Sequence, residues 1–453
     1  MGENPTGAVP PYRSVSILPP VPNSAMRILF VAHGYPPSEI AGTERHVESL
    51  ARHALARGHT VRVVAATRSI GRKQYASFSE NIDGVNVTRI VNNVTTRSLA
   101  DIEADRVIDG HIDAVQRAFR PDVIHLHHLQ FLSSATQWRA PVVITLHDQW
   151  FWCAAGGLGV RADRHPCDGP SPDDCAPCAA AWRPTPGRWT RALSSIAGHL
   201  SPVISPATLH RAWAKVPQRL RPRPERGVGP TAPPLAAEAR NRAMAAVLDN
   251  AKVVLSPSRY LADRCTEVTG RTVHVLRHGL DEFWFEEAAR SRRSDVLFLG
   301  TIAPHKGPDL VVEAWRRACP EQTPPLRIHG MVQDPALTLG HPISPALDRN
   351  GVRDALDRAR VVVMGSRWPE NAPLVILEAR ARGCPVVAPA IGGIPELLSE
   401  QDGHLFEPDD VGALADALRA ALERSDWAPR PPPTLTVQAA QVLDVLAAAG
   451  GCP

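Results

Sequence analysis

Short apolar runs alternate with helix-period segments along the chain. The first run is RILFVAH at residues 27–33, and the next is VRVVAA at 61–66. Between them, apolar residues recur at helical spacing over 44–57, and Gly58 follows. An uninterrupted apolar run of this length is typical of a strand buried on both faces, as in a parallel sheet. The three segments therefore predict a β-α-β unit.

The same alternation continues to the end of the chain, which at 453 residues is long enough for two α/β units. Further strands are predicted at 122–128, 141–148, 251–258, 273–279, 295–300, 326–330, 360–366 and 385–389, and further helices at 308–318, 373–382 and 434–449. Alternating strands and helices indicate parallel sheets. We predict a disordered tail at 1–25, a first Rossmann-like unit at 26–255, a second at 256–430, and a C-terminal helix and tail at 431–453.

Composition and charge exclude several classes of protein. Fifty basic and forty-six acidic residues give a net charge of +4, which is too small to indicate a nucleic-acid partner. Residues 1–25 lack the apolar core of a signal peptide, and no run reaches the ~18 apolar residues that a membrane span needs. We therefore expect a cytoplasmic protein with reduced cysteines. The basic stretch at 211–226 is a solvated surface in the interpretation that we favour, and a contact with an anionic membrane or acceptor in the alternative.

Two glutamates flank a predicted helix start. Pro373 suits the first helical turn, where its missing N–H costs nothing, and Gly383 suits the position after the last turn. Glu370 then precedes the helix and Glu378 lies within it. Free amides at the helix start can bind an anion, while the two carboxylates flank the rest of one elongated ligand. Taken alone, the pattern is better explained by an acidic residue near the helix start that stabilises the helix dipole.

A second helix start carries a lysine. Gly300 and Gly307 bracket a loop that leads into a helix opened by Pro308, and Lys306 lies at the positive end of that helix. A cation in this position is unfavourable unless an anion is bound there as well. The chain has only four lysines, so we favour a phosphate-binding role over a solvated surface charge.

These segments resemble a known family. FLGTIAPHKG, WPENAPLVILEARARGCPVVAPAIGGIPELL and DGHLFEPDD are similar to the nucleotide-sugar half of glycosyltransferase family 4, retaining enzymes of the GT-B fold. YPPSEIAGTERHVESLARHALARGHTVRVV resembles their other half. The resemblance implies two Rossmann-like parallel-sheet domains facing each other across a cleft, with acceptor bound by the first and donor by the second. It also implies transfer of a hexose-like sugar from a nucleotide diphosphate sugar to a small-molecule or glycan acceptor, without a catalytic metal.

The resemblance assigns roles to individual residues. Glu378 would bind the ribose hydroxyls, Lys306 would neutralise the diphosphate, and Glu370 would bind hydroxyls of the donor sugar and stabilise positive charge on it. Gly42 would let the backbone approach the donor. His147 would contact the sugar near the reacting carbon, although a histidine at a strand end is often a core residue. The remaining donor-site residues are Gly300, Thr301, Pro373 and Leu374.

The chain departs from the family's pattern at three places. Thr301 stands where many members have an arginine that serves as a second phosphate cation. Either Arg367 or His305 could replace that cation, or the affinity for the donor is lower. The interval 331–359 lacks the pattern of the strand that is usual there. His278 stands where asparagine is common, which could alter the hinge or the acceptor edge.

Four of the eight cysteines follow the TLHD segment closely, at Cys153, Cys167, Cys175 and Cys178. A Cys-x-x-Cys pair can chelate one ion, and four thiolates suit tetrahedral zinc. Some members of the resembled family carry a similar Cys-rich insertion here. We therefore expect a structural zinc ion, with unligated thiols or an iron–sulfur cluster as alternatives. The aromatic run at 150–152 either stacks on an acceptor ring or is buried against this loop.

Two other functions are compatible with the same residues. A sugar-nucleotide epimerase or hydrolase would use the same donor site but release nucleotide without an acceptor. A non-catalytic scaffold would use the cysteine loop to dock a partner and keep only a relict donor site. The joint presence of Lys306, Glu370 and Glu378 argues against the scaffold, whereas Thr301 leaves it open as an alternative. The sequence does not indicate the base, the sugar, the acceptor or the oligomeric state.

Overall fold

The computed structural model describes residues 24–69, 72–93, 104–161, 166–171, 174–178, 234–287 and 293–451. The predicted tail up to residue 23 and the basic stretch at 211–226 lie outside them. The described residues form two compact units. The first unit comprises Asn23–Glu282, Trp368–Leu374 and Pro433–Pro453, and the second comprises Phe283–Arg367 and Val375–Pro432.

An eight-stranded sheet forms the centre of the first unit. Its strands are β1 (Arg27–Ala32), β2 (Thr60–Thr67), β3 (Ser77–Ile82), β4 (Val85–Val91), β5 (Val123–Leu126), β6 (Val142–Thr145), β7 (Val253–Ser256) and β8 (His274–Val275). Their order is β3-β4-β2-β1-β5-β6-β7-β8, and every neighbouring pair is parallel except β3 and β4. The predicted parallel α/β architecture is confirmed.

The second unit contains a five-stranded parallel sheet. Its strands are β9 (Asp295–Leu299), β10 (Leu326–His329), β11 (Ala359–Val363), β12 (Val386–Pro389) and β13 (Gly403–Phe406), in the order β10-β9-β11-β12-β13. After β10 the chain forms a short 3-10 turn at Pro335–Thr338 and a helix, not a strand. This agrees with the missing strand pattern at 331–359.

Helices pack against both sheets. They include α1 (Gly42–Ala56), α2 (Arg106–Phe119), α3 (Pro234–Asp249), α4 (Arg259–Thr269), α5 (Pro308–Ala318), α6 (Arg349–Arg358), α7 (Leu374–Ala381), α8 (Val411–Glu423) and α9 (Leu435–Gly450). Helix α9 packs against α1 and the strands β5 and β6 of the first unit. Within the described residues, no helix combines the length and the apolar character that crossing a membrane would require.

The first unit extends further along the chain than the predicted boundary at residue 255. Strand β7 pairs with β6, with Leu255 opposite Thr145, and β8 pairs with β7. Both strands therefore extend the first sheet, and the chain passes to the second unit only after Glu282. The reason is that an apolar run such as β7 fits either sheet, and only strand pairing decides which one it joins.

The hairpin formed by β3 and β4 was not predicted from the sequence. Asp83 and Gly84 form its turn with φ values of 49° and 86°, and Ile82 pairs with Val85. An Asp-Gly pair between two strands is a strong hairpin signal because both positions tolerate positive φ. The signal was therefore present, but β3 alternates between exposed and half-buried positions and has no apolar run.

Candidate active site

Two predicted donor-site residues meet at the start of α1. Gly42 is the first residue of this helix, and Ala41 before it provides no side-chain cap for the free amides. A Cβ atom on Gly42 would lie 3.7 Å from Cδ1 of Leu374, which is ordinary van der Waals contact. The structure therefore brings Gly42 together with Leu374, the residue at which α7 begins.

The loop that carries Glu370 is tied to the strand end that carries His147. Asn371 donates from Nδ2 to the carbonyl oxygen of His147 at 3.1 Å, and its Oδ1 accepts a hydrogen bond from the Ser258 hydroxyl. Its side chain is 8% exposed, so these bonds replace water for a buried amide. Sequence reasoning missed Asn371, although an amide beside Glu370 in a loop between two α/β elements was a signal that could have identified it.

Both motif glutamates are buried, Glu370 at 5% exposure and Glu378 at 9%. Glu370 lies in the loop before α7, where its backbone N–H donates to the carbonyl oxygen of Trp368 at 2.8 Å. Glu378 lies within α7. Burial makes an ionised carboxylate costly, so carboxylates in such positions are seldom there for solubility alone.

In the second unit, glycines bring the strand ends together by direct backbone contact. A Cβ atom on Gly307 would lie 1.9 Å from the carbonyl oxygen of Gly365, and one on Gly330 would lie 1.7 Å from that of Gly300. Gly307 also has φ of 57°. No other residue fits these crossings without a shift of the backbone. Two predicted residues, Gly300 and Gly307, thus shape the loop that contains Thr301 and Lys306.

Arg367, one of the two cations suggested in place of the one that Thr301 lacks, is paired with carboxylates. Its guanidinium donates to both carboxylate oxygens of Asp309 at 2.7 and 3.0 Å, and to Asp409 at 2.5 Å. Burial lowers the pKa of Arg367, but hydrogen bonds and charges from the two aspartates outweigh it and raise the pKa overall. Arg367 is therefore charged but already paired with two carboxylates. A phosphate at this place would share Arg367 with these aspartates, and the suggestion that Arg367 or His305 compensates for Thr301 stays a prediction.

Several buried or half-buried imidazoles meet at the carboxyl ends of the first unit's strands. We call five of them the histidine cluster: His46, His125, His127, His147 and His278. Ring centroids are 4.0 Å apart for His46 and His278, and 5.2 Å for His127 and His147. Burial lowers the pKa of His125 and of His278 to about 3, so both are neutral. In an open parallel sheet this edge is where ligands bind.

A buried glutamine on α9 orders part of this cluster. Gln438 accepts a hydrogen bond at Oε1 from the Gly279 backbone N–H at 2.8 Å. Its Nε2 therefore points to His278 Nδ1 at 3.2 Å and to His46 Nε2 at 3.5 Å. His278, which departs from the family's pattern, is thus a partner of Gln438 in the first unit. From this cluster, only His147 was assigned a donor-site role from the sequence, and His278 was marked as a departure from the family's pattern.

Two glycosyltransferase family models match the chain, one in each unit. The model described as "Glycosyltransferase Family 4" matches residues 40–168, and the model described as "Glycosyl transferases group 1" matches residues 293–424. Among solved structures, sucrose-phosphate synthase from Thermosynechococcus elongatus aligns with a TM-score of 0.58 and 17% identity, covering 94% of this chain and 96% of that chain. The chain has the GT-B glycosyltransferase fold.

Other similar proteins agree with this GT-B assignment. Anabaena HepE, solved in complex with UDP and glucose, aligns with a TM-score of 0.54 and 16% identity over 94% of this chain and 97% of that chain. Glycogen synthase of Mycobacterium tuberculosis is 25% identical over 432 residues, covering 88% of this chain and 86% of that enzyme. D-inositol 3-phosphate glycosyltransferase of Streptomyces coelicolor is 32% identical over 158 residues, covering 30% of this chain and 34% of that enzyme. The two family models and these relatives support glycosyltransferase activity.

The structure of this GT-B chain does not support the predicted zinc site. Among the described residues, which include all four cysteines, no group of three or more His, Cys, Asp or Glu side chains is arranged to hold a metal ion. Cys153 and Cys178 pack with Ala155, whereas Cys175 packs with two other alanines in a separate apolar cluster. The thiol of Cys167 instead donates to the carbonyl oxygen of Gly169 at 3.3 Å. The spacing brought the thiols into one region but not around one point.

The aromatic run beside the cysteines is part of the core. Trp150, Phe151 and Trp152 are between 2% and 4% exposed and belong to the apolar core of the first unit. The indole N–H of Trp152 donates to Gln149 Oε1 at 3.2 Å. Of the two alternatives, burial against neighbouring residues is the one observed.

Proposed function

We propose that the chain is a retaining glycosyltransferase that moves a hexose-like sugar from a nucleotide diphosphate sugar to an acceptor hydroxyl on a small molecule or glycan. The observation that carries the proposal is the pair of hydrogen bonds from the Asn371 amide to the main-chain oxygens of Leu146 and His147. It fixes the loop of Glu370 to the strand end of His147, so two residues assigned to the donor sugar are held by one buried amide. Similarity to both halves of known glycosyltransferases supports the same function.

In this proposal, residues of the second unit bind the nucleotide and the diphosphate. Glu378 accepts hydrogen bonds from the two ribose hydroxyls through its two carboxylate oxygens. Lys306 pairs with the diphosphate, and Gly300 and Thr301 allow the backbone to approach it. The solved complex of HepE with UDP and glucose supports a nucleotide-sugar donor for a chain of this fold.

In this proposal, residues that belong to the first unit bind the sugar. Glu370 accepts hydrogen bonds from sugar hydroxyls and stabilises the positive charge that develops at the anomeric carbon. His147 contacts the sugar near that carbon, and Gly42 with Pro373 and Leu374 completes this part of the donor site. Leu374 already lies beside Gly42, since a Cβ atom on that glycine would be 3.7 Å from the leucine Cδ1.

We propose substitution on one face of the sugar. The bond between the anomeric carbon and the β-phosphate oxygen breaks, and the acceptor oxygen forms a bond to the same carbon from the same side. The acceptor proton passes to the leaving phosphate oxygen, so the products are the glycoside and the nucleoside diphosphate. Lys306 stabilises the leaving group, a role that a metal ion fills in other transferases. No enzyme carboxylate is assigned as nucleophile.

Thermal denaturation with UDP, GDP, TDP and ADP, each with and without magnesium, tests the donor site. A nucleotide that binds only the folded chain raises the midpoint by mass action. We expect one base to raise it without magnesium, and Glu378→Ala to abolish the rise. Glu423→Ala, at an exposed position on α8, is the matched control and keeps it.

The identified nucleotide then defines the activity assay. We expect product formation only with an acceptor present, and the same anomeric configuration in the donor and the product by NMR. Nucleotide release without acceptor would instead indicate a hydrolase or epimerase. An absence of any midpoint shift with all four nucleotides would contradict the proposed donor site.

A further inference from the structure

We infer that His127 is a positioning residue that holds His147 in the tautomer with its proton on Nδ1, so that His147 donates a hydrogen bond to an oxygen of the bound ligand. That the ligand oxygen is a sugar hydroxyl rests on the proposed function. The tautomer itself rests only on the contacts of the two rings.

The two imidazoles share one hydrogen bond. His127 Nδ1 lies 3.0 Å from His147 Nε2, and the rings are inclined by 29°. A neutral imidazole carries one proton, so one ring donates in this bond and the other accepts. Either His127 Nδ1 carries the shared proton, or His147 Nε2 carries it.

The far side of the His127 ring distinguishes these two arrangements. His127 Nε2 is buried and has no hydrogen-bond partner among the described residues. If His147 were the donor, the proton of His127 would have to sit on Nε2, as a buried N–H without an acceptor. If His127 is the donor, Nε2 is only an unused acceptor. An unused buried acceptor is tolerated better than an orphaned donor, so the proton lies on His127 Nδ1.

The surroundings keep both rings neutral. Burial is the largest cause that lowers the pKa of His127 and of His147, and neighbouring imidazoles lower each further. Phe30 of β1 stacks against His127 at 5.9 Å, inclined by 20°. Gln438 turns its donor amide group toward His278, which keeps the Nδ1 atom of that ring unprotonated. The shared bond is therefore one between two neutral rings.

It follows that the proton of His147 is on Nδ1. This nitrogen makes no hydrogen bond within the described part of the chain, and the residue is half-buried, not fully enclosed. Asn371 holds the carbonyl oxygen of His147, so the residue is fixed by its main chain and by its ring at once. A fixed N–H donor at the carboxyl edge of the sheet selects an acceptor oxygen, such as that of a hydroxyl group.

Imidazole ¹⁵N spectra of the full-length protein test the tautomer without any substrate. Signals of His147 are assigned by their loss in His147→Asn. We expect a protonated-type shift for Nδ1 and an unprotonated-type shift for Nε2 at pH 7.5. A protonated Nε2 in His147, with or without a proton on Nδ1, would overturn the inference whether or not the chain transfers sugar.

Variants of His127 test whether this residue affects ligand binding through His147. His127→Leu removes the donor, and we expect kcat/KM for the nucleotide sugar to fall about tenfold, the worth of one oriented hydrogen bond. His127→Asn retains a donor near the position of Nδ1 and should restore most of the loss together with the Nδ1-protonated signal of His147. His125→Leu, two residues earlier on β5, is the matched control, because His125 bonds to Thr145 instead, and it should leave that signal unchanged.

These outcomes separate the inference from the proposed function. If no transfer is detected in the wild-type chain, the proposed function fails while the spectra still decide the tautomer. If transfer occurs but His127→Leu leaves both kcat/KM and the His147 spectrum as in wild type, His127 does not position His147.

Discussion

The two units end their parallel sheets in different ways. In the first unit, polar side chains meet at the strand ends: imidazoles bond to one another and to Gln438, and Asn371 bonds to the main-chain oxygen of His147. In the second unit, glycine backbones cross at the strand ends, and the charge of Arg367 is balanced by two aspartates. The same type of sheet thus places its residues either by polar side chains or by close backbone packing. The polar side chains of the first unit are sensitive to protonation, and the close backbone packing of the second unit is sensitive to added side-chain volume.

The largest effect is expected from adding one methyl group to the second unit. Gly307→Ala places a Cβ atom 1.9 Å from the carbonyl oxygen of Gly365, at a φ of 57°. Overpacking and the left-handed conformation together should cost about 3–5 kcal/mol. Urea denaturation followed by circular dichroism measures this. Gly340→Ala is the control, since its φ is 79° but nothing lies within 4 Å of the added atom, and it should cost about 1 kcal/mol.

Equal losses in the two alanine variants would show that backbone strain alone, and not the crossing with Gly365, makes Gly307 necessary. The second unit's strand ends would then tolerate more volume than the structure indicates.

Acid should affect the first unit through its buried imidazoles. The pKa of His125 and of His278 is about 3 in the folded chain, against about 6.5 when unfolded. Below pH 6.5 the unfolded chain binds protons that the folded chain does not, so stability is present above pH 6.5 and is lost as pH falls toward 3. Through these two residues, the free energy of unfolding should fall by on the order of 4 kcal/mol between pH 7 and pH 5. Urea midpoints across that range measure the slope.

A variant distinguishes these histidines from other titrating groups. His278→Asn removes one titrating group. Below pH 6 it should reduce the change of the free energy of unfolding with pH by about 1.4 kcal/mol per pH unit. An unchanged slope would mean that His278 takes up its proton in the folded chain as readily as in the unfolded one.

Loss of the Gln438 amide should have a smaller effect. Gln438→Leu leaves the backbone N–H of Gly279 without its acceptor and His278 without its donor. A buried donor left unsatisfied costs about 1–3 kcal/mol. Val437→Ala, at a neighbouring exposed position on the same helix, is the control and should change the free energy of unfolding little. Gln438→Leu as stable as wild type in urea would show that this amide does not order the cluster.

The sequence predicted most strands and helices because apolar runs and helical spacing are local signals. Helix α5 has the predicted bounds, and α1 and α7 lie within two residues of theirs. The histidine cluster was not predictable in this way, since its members are far apart in sequence and meet only through the strand order. The glycine crossings were equally hidden: Gly330 and Gly365 sit at the ends of predicted strands, and nothing in their neighbours indicates a facing backbone.

The cysteines show the opposite error. Their spacing is a local signal and suggested a metal, but the folded loop places Cys153 and Cys178 in one apolar cluster and Cys175 in another, and the thiol of Cys167 bonds to a main-chain oxygen. Spacing constrains which ligands can meet, whereas packing decides which of them do.

The smallest expected effect concerns donor affinity in the second unit. In the proposed donor site, Thr301 stands where many members of the resembled family have a second phosphate cation, and Arg367 is paired with Asp309 and Asp409. Thr301→Arg should tighten nucleoside diphosphate binding about threefold to tenfold at low salt, and less at about 0.5 M salt, because an exposed charge pair is screened. Isothermal titration at both salt concentrations measures the change. Thr301→Gln, of similar length but uncharged, controls for side-chain size. Equal gains in both variants would mean that packing limits affinity here, and weaker binding in Thr301→Arg alone would mean that another cation, such as His305, already occupies this role.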